Sequence, residues 1–186
     1  MLYGEPGCGK TMLGRYIAYK AELPFLYLNF SSLISSYLGK TGENLQKVFD
    51  YIKDNRCVLM LDELDAIGLE RGQKAEVGEM NRIVINLMQC LDRLDTNNII
   101  IAATNREDMI DKALKRRFSL QYEIEKPSEA VKIEIVKSYL NSVPSKYTED
   151  EIKEFVKDKS SCANLTNSIV NIIVKCVTEN KEFTLN

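Results

Sequence analysis

The stretch that most constrains this chain is G-E-P-G-C-G-K-T, residues 4–11. Its glycines let consecutive backbone N–H groups turn toward one point, and such a nest of donors holds phosphate oxygens. Lys10 is placed to reach the β- and γ-phosphates, and Thr11 to offer its hydroxyl to Mg²⁺. A loop of this kind works between a strand and the N-terminus of a helix, whose positive dipole end faces the anion. The motif therefore asks for strand-helix alternation. Only Met1, Leu2 and Tyr3 precede it, so the lead-in strand is expected to be reduced to "MLY", as in a chain cut at its N-terminus. Taken alone, the motif is also compatible with a Gly-rich turn of no function.

The rest of the sequence supplies the alternation. "FLYLNF" (25–30), "CVLML" (57–61) and "NIIIAA" (98–103) are apolar runs rich in aromatic and branched residues, with "LQYEI" (120–124) a weaker candidate. Runs apolar on both faces predict parallel strands covered on both sides. Between them, Leu13, Ile17 and Ala21 share a helical stripe, as do Leu45, Val48, Phe49 and Ile52. Met80, Ile83, Val84, Leu87, Met88 and Leu91 mark a longer amphipathic helix. This pattern predicts a doubly wound α/β layer structure over residues 1–126. After "KPSEA", whose Ser128 suits a helix cap, only helical patterns follow, at 128–141, 149–157 and 164–178. Residues 127–186 are expected to form a small all-helical domain.

Two further segments carry chemistry. "CVLMLDELDAI" is an apolar strand ending in Asp62-Glu63. Open α/β sheets bind ligands at the carboxyl ends of their strands. There Asp62 would hold Mg²⁺ through water, and Glu63 would polarise the attacking water as general base or positioning group. Asp65 is read as an acidic residue at a solvated helix start. "IIIAATNRE" ends in Thr104 and Asn105, either a turn signal or a polar pair that bonds the attacking water or the γ-phosphate. Arg116 and Arg117, in "ALKRRF", are either surface charges or fingers that stabilise a phosphoryl-transfer transition state.

Composition narrows the chemistry. The chain has no histidine, and its five cysteines are widely spaced with no CxxC pair. This argues against a zinc site and against Ser-His or Cys-His nucleophilic catalysis. Scattered reduced cysteines fit a cytoplasmic protein. Cys8, at a helix N-terminus, invites a redox role, but a small tolerated loop residue explains it more simply. The formal net charge is −2, which argues against a surface built mainly for nucleic acid or anionic membrane. No apolar run approaches the ~20 residues of a membrane span.

In this order, G-x-P-G-x-G-K-T, strand-D-E, A-T-N and A-L-x-R-R-F resemble the AAA+ ATPases, and within them the branch of FtsH-type, katanin-type and proteasomal ATPases. The resemblance covers almost the entire chain. It implies a P-loop NTPase three-layer α/β fold with sheet order 5-1-4-3-2, its first strand truncated here, followed by a helical lid. It also implies ATP and Mg²⁺ as ligands and self-assembly into a ring, usually a hexamer, with the active site between subunits.

Carried over by position, Gly4, Glu5, Pro6, Gly7, Cys8, Gly9, Lys10, Thr11 and Met12 correspond to the nucleotide-binding loop. Thr11 and Asp62 correspond to the metal-holding pair, Glu63 to the catalytic glutamate, and Asn105 to the γ-phosphate sensor. Arg116 and Arg117 match the pair that enters the neighbouring subunit's site, though the family's common R-P-G-R spacing is absent. Asn29 aligns with a residue that restrains the catalytic glutamate. Tyr37, Leu38 and Gly39 match the first pore loop, where an aromatic on a Gly-flanked loop grips an extended polypeptide; without the resemblance, Tyr37 reads as a half-buried loop aromatic. Lys40 and Gln46 depart from the acidic residue and arginine usual there. "SCANL" (161–165) resembles S-G-A-D-L, with Cys162 and Asn164 replacing glycine and aspartate. Arg82 is either at the subunit interface or on a solvated helix face. The adenine-contacting segment of the family precedes the loop and is not within this chain.

The implied function is ATP hydrolysis that drives remodelling, unfolding or disassembly of protein substrates through a ring pore. A nucleic-acid-associated AAA+ ATPase and a non-hydrolysing ATP-gated scaffold are the alternatives. With its central strand shortened, the stretch by itself is expected to bind nucleotide weakly and hydrolyse it slowly or not at all.

Overall fold

The computed structural model describes residues 1–36, 40–67, 74–94, 97–141, 143 and 147–179. By contact density the chain divides into two compact units: Met1–Gly4 with Lys10–Ile124, and Glu5–Gly9 with the chain from Glu125 onward. The residues of the loop tip therefore cluster with the C-terminal helices, and the boundary falls two residues before the one expected from "KPSEA".

The first unit is an α/β layer structure. Its strands are β1 (Leu2–Tyr3), β2 (Phe25–Asn29), β3 (Val58–Asp62), β4 (Ile99–Thr104) and β5 (Tyr122–Glu123). All neighbouring pairs are parallel, in the order β2-β3-β4-β1-β5. Read from the other edge this is 5-1-4-3-2, the order expected. Short as it is, β1 is an interior strand, though β4 and not β1 holds the middle of the sheet: Leu2 pairs with Ala103 on one side and Tyr122 on the other. Both Met1 and Leu2 are buried.

Helices cover both faces, and β3 shows why its sequence is apolar throughout. Val58 and Met60 face a cluster with Leu2, Ala18, Ile101 and Ala103, to which Leu13 and Ile17 of α1 (Lys10–Ala21) add. Leu59 and Leu61 face the opposite cluster, with Leu45, Phe49 and Ile52 of α3 (Thr41–Asp54) and Ile83 and Leu87 of α4 (Lys74–Asp92). The period-2 alternation of a strand thus serves two apolar layers at once. β2, at the sheet margin, is only partly covered, and Tyr27 is exposed. The strand expected through residue 30 stops at Asn29, because Asn29 Oδ1 accepts from Ser32 N (2.8 Å) and turns the chain into α2 (Phe30–Ser36). Phe30 is fully buried in the α3-α4 layer.

In the second unit, α6 (Glu129–Leu140), α7 (Glu149–Lys157) and α8 (Cys162–Glu179) enclose their own core of Val136, Leu140, Ile152, Val156, Leu165 and Ile169. Ser128 caps α6 as expected. Thr148 and Glu151 form a reciprocal capping box on α7.

Candidate functional site

The chain leaves β1 through Gly4, whose φ is +138°. A Cβ there would lie 2.3 Å from the carbonyl oxygen of Ile124, so both the dihedral and the space require glycine. Lys10 opens α1 and is buried. Its Nζ donates to Gly4 O (2.8 Å) and to Asn105 Oδ1 (2.7 Å), at the end of β4. Among its partners are these two oxygens, and the buried ammonium sits beside a helix N-terminus. Both the charge and the dipole favour an anion there. The next residue, Thr11, donates its hydroxyl to Asp62 Oδ2 (2.6 Å), at the end of β3. Met12 is exposed on α1.

Asp62 Oδ1 accepts from the backbone N–H of Glu63 (2.9 Å). Glu63 itself sits at φ +55°, a left-handed conformation that costs a non-glycine residue on the order of 1–3 kcal/mol and clusters at functional positions. This left-handed residue directly follows Asp62, the last residue of β3. Two residues on, Asp65 does what its sequence context did not reveal. Its Oδ1 accepts from the hydroxyl of Thr104 (2.7 Å) and the backbone N–H of Asn105 (3.1 Å). The acidic helix start is therefore a brace between the turn after β3 and the end of β4. Only the parallel pairing of β3 with β4 brings these together, across 39 residues of chain.

On the other side of β3, Asn29 pairs in register with Asp62. The Asn29 amide donates to Tyr27 Oη (3.4 Å). That bond pulls the Tyr27 phenol down, but partial burial and the carboxylates of Asp62 and Glu63 outweigh it and leave the phenol above its ordinary range.

In the second unit, the loop tip packs on the start of α8. Ala163 N donates to Gly7 O (3.0 Å), and a Cβ on Gly7 would meet Ser161 Oγ at 2.9 Å. Glu5 pairs with Lys126 (2.7 Å). A cavity of ≈ 470 Å³ opens here, lined by Pro6, Gly7, Cys8, Ser161, Ala163 and Asn164 among others, within the ~300–1,000 Å³ of small-molecule pockets. Cys8 is buried, and burial pushes the Cys162 thiol up.

The two arginines part company. Arg117 forks onto Asp92, Nε to Oδ1 at 2.9 Å and Nη2 to Oδ2 at 2.7 Å, and its Nη1 donates to Ala113 O of α5 (Lys112–Lys115). That bidentate grip holds the Asp92 carboxyl below its usual range. Arg116 is exposed and forms no ion pair among the described residues. Neither arginine is bonded to Lys10, Asp62, Glu63 or Asn105 of its own chain. Arg82 is exposed on α4. Tyr37, Leu38 and Gly39 lie outside the described residues.

Thr11 and Asp62 offer two hard oxygens on adjacent elements, the donor type that Mg²⁺ prefers. Among the described residues no group of three or more His, Cys, Asp or Glu is arranged to hold a metal ion. A cation at Thr11 and Asp62 would complete its shell with water and phosphate oxygens, as Mg²⁺ does in nucleotide sites. Among the described residues no helix is long and apolar enough to cross a membrane.

Comparison with known proteins bears on these residues directly. The model of the ATPase family associated with various cellular activities (AAA) matches residues 1–126. An uncharacterized AAA family ATPase of Sinorhizobium fredii is 36% identical over 76% of this chain and 43% of its own length. A probable 26S proteasome regulatory subunit 10B of Caenorhabditis elegans is 33% identical over 100% of this chain and 48% of its own length. An ATP-dependent zinc metalloprotease, FtsH 2, of Symbiobacterium thermophilum is 37% identical over 74% of this chain and 25% of its own length. The chain spans less than half the length of each of these relatives.

Proposed function

This chain belongs to the AAA family of ATPases, and we propose that it hydrolyses ATP to ADP and phosphate to drive remodelling of polypeptides. The observation that carries this reading is the convergence at the strand ends: Lys10 on Asn105 Oδ1, and Thr11 on Asp62 Oδ2. Three elements far apart in sequence deliver an ammonium, a hydroxyl, a carboxylate and an amide to one edge of the sheet.

In this reading Lys10 draws the β- and γ-phosphates to the start of α1. Thr11 and Asp62 hold Mg²⁺, which neutralises charge on the phosphate oxygens. Glu63, directly after Asp62, orients a water and takes its proton as the water oxygen attacks the γ-phosphorus and the bond to the β-phosphate oxygen breaks. The Asn105 amide registers the γ-phosphate. Arg116, exposed and in no ion pair among the described residues, enters the site of a neighbouring copy in a ring, usually of six, while Arg117 anchors the segment that carries it. Tyr37, Leu38 and Gly39 grip an extended polypeptide in the ring's pore. The relatives named for the proteasome and for ATP-dependent proteolysis support a polypeptide as the object of the work, and the cytoplasm is the compartment that fits the unpaired cysteines.

Phosphate release from ATP, followed with no addition, with an unfolded polypeptide and with single-stranded DNA, tests the proposal. Stimulation by the polypeptide is expected. Stimulation by DNA alone would place the chain with nucleic-acid ATPases. Nucleotide binding without release by the assembled protein would mark an ATP-gated scaffold.

A further inference from the structure

We propose that Asp65 is a positioning residue for hydrolysis, setting the Asn105 side chain against Lys10 by holding the end of β4 through one carboxylate oxygen. The inference rests on the hydrolytic reading above and adds to it a residue that neither binds phosphate nor holds the metal.

Asp65 Oδ1 takes two hydrogen bonds, from the Thr104 hydroxyl at 2.7 Å and the Asn105 N–H at 3.1 Å. The Thr104 hydroxyl in turn accepts from Arg106 N at 3.0 Å. Thr104 is 1% exposed, so leaving its hydroxyl without the Asp65 partner is costly. The result is a closed relay: Asp65 fixes Thr104 and the peptide nitrogen of Asn105, and Asn105 Oδ1 meets Lys10 Nζ at 2.7 Å. Asn105 follows the last residue of β4, and its own backbone N–H is the one tied to Asp65. Released from Asp65, that peptide is free to rotate, and the amide leaves Lys10. Asp65 lies two residues after Glu63, on the 3-10 turn Leu64–Ile67, whose Leu64 and Ile67 are buried. The brace therefore joins the carrier of the catalytic carboxylate to the carrier of the γ-phosphate amide.

The test is a series of variants read by single-turnover phosphate release, ATP titration and amide hydrogen exchange. Asp65→Ala should lower kcat by on the order of 10²-fold with KM within a few-fold, the signature of misplaced groups rather than lost binding. Asp65→Asn keeps an oxygen at Oδ1 and should recover most of that loss. Thr104→Val, which removes the hydroxyl at nearly constant shape, should lower kcat, and combining it with Asp65→Ala should cost far less than the product of the two. The Asn105 amide should exchange faster in Asp65→Ala, with or without turnover. Equal losses in Asp65→Asn and Asp65→Ala, or an effect confined to KM and melting temperature, would overturn the positioning role. The two layers fail separately. Absence of release by the assembled unaltered protein overturns the hydrolytic reading, whereas release that Asp65→Ala leaves unchanged overturns only the part given to Asp65.

Discussion

Gly4 is where one atom decides the most. A single added methyl would stand 2.3 Å from the Ile124 carbonyl oxygen, on a backbone at φ +138°. We expect Gly4→Ala to cost on the order of 2 kcal/mol or more of stability from strain alone. It should also weaken nucleotide binding, because Gly4 O accepts from Lys10 Nζ. Urea unfolding paired with an ATP titration checks both effects, and a variant of unchanged stability would refute the account of the loop's entry. That glycine was legible in the sequence because the loop's chemistry is local, eight residues carrying their own geometry. Asp65 was not. An acidic residue at a helix start is favoured by the dipole anywhere, and its real partners, Thr104 and Asn105, become neighbours only when β4 docks beside β3. The strained dihedral of Glu63 was equally hidden, since nothing in "LDELD" announces a left-handed residue.

Elements were legible in proportion to their length and regularity. The apolar runs at 57–61 and 98–103 became β3 and β4 with a shift of about one residue, and α7 spans the residues expected of it. Phe30 was misread as strand because apolarity continues past the point where the Asn29 side chain turns the chain. α5, with four residues, is too short for a periodic stripe and owes its start to Asp111, whose Oδ1 accepts from Ala113 N and Leu114 N. The helices of the second unit rely on their caps in the same way. In α7, Thr148 accepts from Glu151 N while the Glu151 carboxylate accepts from Thr148 N (2.7 Å). Thr148→Ala should therefore destabilise that unit by about 1 kcal/mol. Thermal unfolding followed by circular dichroism will show it, and a midpoint equal to that of the unaltered protein would mean the box contributes nothing.

At the scale of the whole molecule, two units with separate cores share one phosphate-loop segment, its ends in the first unit and its tip in the second. Both cores could be foreseen from hydrophobic periodicity. The assignment of Glu5–Gly9 to the second unit could not, because it depends on the close fit of Gly7 against Ser161 and Ala163. The central claim, however, lies at the sheet's carboxyl edge: Lys10, Thr11, Asp62 and Asn105 bind, and Glu63 performs the proton transfer. Glu63→Gln keeps size and shape while removing the base. The decisive measurement is phosphate release by this variant and the unaltered protein under single-turnover conditions, with ATP affinity measured in parallel. The account predicts ATP affinity within a few-fold of the unaltered protein and release slowed by roughly 10²–10⁴-fold. Release by Glu63→Gln at the unaltered rate would contradict it.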